Sequence, residues 1–205
     1  MIHLSLHSIS KHFGRRKILQ EVTHLFEGGA ATAIVGPNGS GKSTLARICA
    51  GVLRADSGRV ELSVNRQVIE RGEIPHTCGY VAPYLSIYDE FTPRELIAMH
   101  AALHGKTVSD DICLATLTRV GLQESLSIPV RSFSSGMRQR MIIALAVVLD
   151  PALLILDEPS TTLDERGRSI LAHEIDAAKH RGAVVIIATN DKRERELCSD
   201  IVVVG

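Results

Sequence analysis

The chain has no net charge, no paired-cysteine motif, no internal repeat and no apolar run long enough to span a bilayer, and each lack excludes a class of protein. Lys plus Arg (23) equals Asp plus Glu (23), so no global field would hold DNA or an anionic membrane, and no nucleic-acid partner is expected. Cys49, Cys78, Cys113 and Cys198 are scattered without a C-x-x-C pair; they read as small buried apolar residues in a reducing compartment. The start, MIHLSLHSISKHFGRRK, has no apolar core and no cleavage site, so it does not read as a signal peptide. The most apolar stretch, 141–156, is interrupted by Asp150-Pro151 and falls short of the roughly 20 residues a bilayer needs. No low-complexity tract occurs, and a hydrophobic share of 45% with 22% charged residues excludes disorder, collagen and coiled coil. What remains, in 205 residues, is one domain with at most a small inserted lobe. Its zero charge hides a basic front: residues 1–54 carry seven Lys/Arg against two Asp/Glu, a balance that suits an anionic ligand or arises by chance.

Short β-branched runs alternate with helical periods, which predicts an α/β domain with a mostly parallel central sheet. Expected strands are 2–6, 23–26, 32–35, 59–62, 79–81, 153–156, 184–188 and 201–204. The runs AIVG, LLILDE and VVIIAT are nearly continuous, as expected where both sheet faces are covered. From Pro83 to about Arg140 valine runs vanish, and helical periods at 93–104 and 109–121 predict an inserted helical lobe.

Three segments carry chemistry. AIVGPNGSGKST places Gly36, Pro37, Asn38, Gly39, Ser40, Gly41, Lys42, Ser43 and Thr44 between a predicted strand and a predicted helix. Its glycines let the backbone curl with N–H groups turned inward around phosphate oxygens, and the helix adds its positive end. Lys42 is expected to reach the β- and γ-phosphates of a nucleoside triphosphate and Ser43 to ligate Mg²⁺. LLILDEPS ends a buried strand on Asp157 and Glu158, which point to opposite sides. Asp157 suits the metal and Glu158 the attacking water, the alternative being a solvated turn. SFSSGMRQR opens a helix, and taken alone Ser134, Ser135 and Gly136 are an N-cap with backbone donors.

Taken in chain order (phosphate loop, SFSSGMRQR, LLILDEPS), the segments resemble the ATP-binding subunits of ABC transporters, whose L-S-G-G-Q signature matches Phe133-Ser134-Ser135-Gly136-Met137, with Ser135 on a glycine position and Met137 on the glutamine. The resemblance runs along the whole chain. It implies a P-loop NTPase-type fold with helices on both faces of the sheet, an N-terminal antiparallel β portion and a helical subdomain at 83–140, the core being 1–82 and 141–205. It makes Phe13 in HSISKHFGRRKIL the platform for adenine, with ordinary core as the alternative. It also puts Asp164 of EPSTTLD at a dimer interface. Two cassettes, the second identical or homologous, would pack head to tail. Each ATP with its Mg²⁺ would lie between one phosphate loop and the partner's signature segment, and transmembrane permease subunits would turn closure and hydrolysis into transport. The chain would then be cytoplasmic and peripheral on the inner face of the membrane. The short length and bare ending resemble compact exporter-type subunits. Two positions depart from the family: Pro83 stands where a glutamine is usual, with Tyr84 and Ser86 as possible substitutes, and Asn190 stands for a histidine. Both changes predict ATP binding with slower hydrolysis. The other readings are a soluble ABC-type ATPase and a low-activity partner cassette.

Weaker features have ordinary alternatives. His100 and His104 sit four apart on a helix without a third ligand; Arg138 and Arg140 read as phosphate readers or a solvated face; and KRERE (192–196) reads as an exposed helix. The aromatic, acidic run YLSIYDEFTPREL (84–96) reads as a groove for a permease segment or as lobe packing.

Overall fold

The three uninterrupted apolar runs become neighbouring strands of one sheet. In a computed structural model, which describes residues 1–205, β3 (Ala31–Val35), β7 (Leu153–Asp157) and β8 (Val184–Ala188) lie in a five-stranded sheet of order β6-β7-β8-β3-β9, with β6 at Cys78–Val81 and β9 at Asp200–Val203. The pairs β7–β8, β8–β3 and β3–β9 are parallel. All five residues of β7 and of β8 are buried, which is why their sequences do not alternate. A second sheet is antiparallel, in the order β2-β1-β4-β5, formed by β1 (Ile2–Phe13), β2 (Arg16–Glu27), β4 (Ser57–Val64) and β5 (Gln67–Ile69).

The chain divides into two compact units, Met1–Tyr80 with Ala152–Glu158 and Ile175–Gly205, and Val81–Pro151 with Pro159–Glu174. In the first, helix α1 (Lys42–Cys49) packs on β7 and β8. One core joins Leu4, Leu6 and Phe26 of the antiparallel sheet to Leu45 and Ile48 of α1 and to Ile155 and Ile186 of the parallel sheet. The second unit is helical. Its α2 (Pro93–Leu103) begins at a reciprocal cap, in which the Thr92 hydroxyl accepts from the Glu95 N–H and the Glu95 carboxylate accepts from the Thr92 N–H. Here α2, α3 (Asp110–Arg119) and α4 (Ser135–Val147) pack on one another. Two further helices complete the chain, α5 (Glu165–His180) and α6 (Lys192–Glu196).

The structure differs from the sequence reading in three places. The β1–β2 pair is longer than expected because register shifts near Ser8 and Glu21, both at positive φ, break the two-residue alternation that sequence reading follows. Strand β5 is three residues long and gave no signal. The helical unit does not stop near Arg140: α4 runs unbroken to Val147 and stays with α2 and α3, and residues 159–174 also fall in that unit.

Candidate functional site

The site grows from the end of β3. There the chain leaves the sheet at Gly36, where a Cβ would stand 2.1 Å from the Val204 carbonyl oxygen, so no side chain fits. It re-enters regular structure at Gly41, which is the N-cap of α1 with a left-handed backbone (φ 106) and no side-chain cap. A Cβ there would lie 2.7 Å from the Ile18 side chain. The first N–H groups of α1 therefore have no intrahelical acceptor and open onto a cleft, the arrangement that binds anions at helix N-termini. That cleft, about 380 Å³, is lined by Phe13, Ile18, Asn38, Gly39, Gly41–Thr44 and Glu158.

Lys42 is almost fully buried under the loop. Its ammonium donates to the Gly36 and Pro37 carbonyl oxygens at 3.0 and 3.3 Å. Asn190, just past β8, brings its amide to 2.8 Å from that of Asn38. In the orientation that gives both amide ends a partner, it donates to Gly36 O at 2.7 Å and accepts from Lys42 Nζ at 3.1 Å. All three ammonium donors of Lys42 are then engaged.

In the first turn of α1 the Ser43 hydroxyl donates to Asp157 Oδ1, at the end of β7, at 2.9 Å. Tyr80, on β6, donates to the other carboxylate oxygen at 3.5 Å. A hydroxyl and a carboxylate side by side are hard oxygen donors of the kind Mg²⁺ takes when phosphate oxygens and water complete its shell. No group of three His, Cys, Asp or Glu side chains that would cage a metal exists in the chain. Glu158 follows at φ 45, a left-handed backbone unusual for a residue with a side chain, while its N–H still donates to Ala188 O at 2.9 Å as if the strand continued. The turn in the backbone directs Glu158 to the cleft wall that Asp157 does not share. Phe13 ends β1, is about half exposed (53%) and carries Lys11 Nζ 5.6 Å from its ring centroid. An exposed ring beside a phosphate-sized cradle is a stacking surface for a flat base.

The second unit holds the remaining predicted residues. Ser134 caps α4, its hydroxyl accepting from Met137 N–H at 3.2 Å, while Ser134 and Ser135 are exposed. Gly136 leaves 3.4 Å between a would-be Cβ and Thr162 O, and buried Gln139 donates to Pro159 O at 3.0 Å, so the signature segment and the loop after the acidic pair are one assembly. Asp164 is exposed, and its carboxylate accepts from Gly167 N–H at 2.7 Å, bracing the start of α5. Pro83, Tyr84 and Ser86 lie in this unit on an exposed stretch before α2.

Several secondary readings resolve into architecture. Arg138 pairs with Asp89 and donates to the Phe133 and Arg131 carbonyls, and Arg140 donates to the Val120 and Gly121 carbonyls at 2.9 Å. Both arginines are structural rather than phosphate readers. The imidazoles of His100 and His104 lie 4.5 Å apart, but His104 Nδ1 is held 2.9 Å from His100 O and no third ligand joins them. The KRERE helix α6 is not wholly exposed, since Glu194 is buried. Two residues beside the site escaped the sequence reading: Tyr80, which only sheet order brings to Asp157, and Arg16, whose guanidinium donates to Gly39 O at 3.4 Å.

Residues 19–161 match the family model described as ABC transporter. An ABC transporter ATP-binding protein of Bacillus subtilis (strain 168) is 34% identical over 98% of this chain, which spans 66% of that relative's length, just under two thirds. The lantibiotic transport ATP-binding protein SrtF of Streptococcus pyogenes is 31% identical over 97% of this chain and 85% of its own. Among solved structures, an ATP-binding subunit of an ABC transporter superposes with a TM-score of 0.86 at 26% identity, over 98% of this chain and 85% of that one. No helix of the chain is long and apolar enough to cross a membrane.

Proposed function

Given that the chain belongs to the ABC transporter family, we propose that it is the subunit that binds and hydrolyses ATP to power a membrane transporter. The observation that carries this reading is the coincidence of a saturated Lys42 beneath a glycine loop with the 2.9 Å Ser43–Asp157 contact. Phe13 stacks the adenine, and residues 36–44 wrap the phosphates with backbone N–H groups while Lys42 supplies charge. Ser43 and Asp157 would hold Mg²⁺, which when bound would supply positive charge against the phosphates. Glu158 orients the attacking water and takes its proton, and Asn190 donates its amide to the γ-phosphate. Ser134, Ser135 and Gly136, at the N-terminus of α4, meet the γ-phosphate held by a partner cassette, identical or homologous, with Asp164 at the same interface. The cassette works against transmembrane permease subunits on the inner face of the membrane, a role supported by the name of the Streptococcus relative.

Hydrolysis is slow in this reading. Pro83 offers no side-chain oxygen where the family has an amide, and Asn190 cannot exchange a proton as imidazole does. The same two positions favour a second reading, a low-activity cassette paired with a more competent one. Steady-state ATP hydrolysis with Mg²⁺, beside the Glu158→Gln variant, separates them. Turnover abolished by the variant supports the catalytic subunit, whereas tight ATP binding without turnover in either protein supports the low-activity partner. Absence of ATP binding sinks both.

A further inference from the structure

Arg16 stands on the cleft rim with donors to spare. The β1–β2 hairpin turns through Gly14 and Arg15, so that Phe13 and Arg16 face each other in register. Phe13 lines the cleft, and its partner Arg16 reaches across to the phosphate loop, with Nη2 3.4 Å from Gly39 O and 3.8 Å from where a Gly39 Cβ would stand. Beyond the adjoining residues of the loop, no other group comes within 4 Å of that point.

The charge of the site makes the position consequential. Lys42 has its three donors committed to Gly36 O, Pro37 O and Asn190. The carboxylates Asp157 and Glu158 stand on the same strand end, so without Arg16 the fixed charge of these residues and Lys42 is net negative, and Arg16 brings it to zero. Apart from Mg²⁺ on Ser43 and Asp157 in the proposed function, a triphosphate entering this cleft meets one buried protein cation at the loop, Lys42, and has use for another. Arg16 is exposed, makes one hydrogen bond with a group that has five donors, and belongs to the basic run Arg15-Arg16-Lys17.

We infer that Arg16 is a phosphate-binding residue of the nucleotide site, contacting the triphosphate from the hairpin side of Gly39 and coupling phosphate capture to the ring of Phe13. The inference rests on the nucleotide reading above and adds a ligand contact to it. The geometry also gives the residue a distinct job: because Arg16 and Phe13 are paired across one hairpin, a single rigid element meets both the base and the phosphates.

The test is equilibrium titration of the full chain with a fluorescent ATP analogue and with adenosine at low and high salt, using wild type, Arg16→Gln, Arg16→Lys and, as a control one residue away, Arg15→Gln. Arg16→Gln should weaken ATP binding roughly tenfold and flatten its salt dependence while leaving adenosine binding unchanged. Arg16→Lys should recover part of the loss, and Arg15→Gln should stay within twofold of wild type. ATP affinity of Arg16→Gln within twofold of wild type overturns the inference. So does an equal loss in Arg15→Gln, which would mark a diffuse field rather than a contact. A wild-type chain that binds no ATP sinks the nucleotide reading and this inference with it; one that binds ATP without the Arg16 effect sinks this inference alone.

Discussion

Replacing Asn190 by alanine should move nucleotide affinity and turnover in opposite directions. The Asn190 amide accepts from Lys42 Nζ at 3.1 Å and donates to Gly36 O at 2.7 Å, so under the proposed function it occupies the place at Lys42 that a phosphate oxygen would take on binding. A hydrogen bond to a charged group is worth about 1.5–3 kcal/mol, and the exposure of Asn190 puts this one at or below the lower end, ~1 kcal/mol. Wild type gives that up when nucleotide binds; Asn190→Ala has nothing to give up. The variant should therefore bind ADP roughly fivefold more tightly, since ~1.4 kcal/mol is a factor of ten. ATP turnover should fall, because the same amide is the proposed donor to the transferring phosphate and loss of such a contact costs ~1–4 kcal/mol, or roughly tenfold to a thousandfold. Fluorescent-ADP titration and a steady-state phosphate-release assay read the two quantities on one preparation. Weaker ADP binding in Asn190→Ala would refute the exchange at Lys42, and unchanged turnover would remove Asn190 from the reaction.

Other outcomes follow from single contacts. Gly36→Ala must displace the Val204 carbonyl, 2.1 Å from the new Cβ, and should lower thermal stability by ~1–3 kcal/mol and abolish ATP binding; a normal melting temperature would contradict the tight fit. Tyr80→Phe removes a long, 3.5 Å hydrogen bond to Asp157, so Mn²⁺ binding followed by electron paramagnetic resonance in the presence of ADP should weaken about twofold, and no change would show that the hydroxyl does not steady the carboxylate. Burial, then the charge of His104, lowers His100 from 6.5 to about 4. Between those values the unfolded chain binds more protons than the folded one, so this contribution to stability is complete above pH 6.5 and lost as pH falls toward 4. Urea unfolding from pH 7 to 4 should show that loss in wild type and less of it in His100→Gln; parallel curves would exclude His100 as a source.

The phosphate loop and the acidic strand end were readable because their patterns are local: nine consecutive residues carry the loop, and two successive carboxylates end one apolar run. The distant partners were not. Tyr80 meets Asp157 only because β6 is hydrogen-bonded beside β7 in the sheet, although the two strands are more than seventy residues apart. Arg16 was visible as one charge in GRRK, but its reach to Gly39 depends on a hairpin lengthened by bulges that hide the strand period. The limit of the helical unit was misplaced for a related reason: α4 is apolar on most sides, so its sequence resembles sheet-domain core, yet its neighbours are α2 and α3.

Glu158, at φ 45, sets durability against chemistry in a single residue. Its left-handed backbone costs a residue with a Cβ about 1 kcal/mol that glycine would not bear. Glycine at 158 would relieve that strain, and by the proposed function it would also remove the group that activates water. Directed evolution of this chain toward hardiness therefore needs a functional screen at every round, because here the relief of backbone strain lies at the residue proposed to activate water.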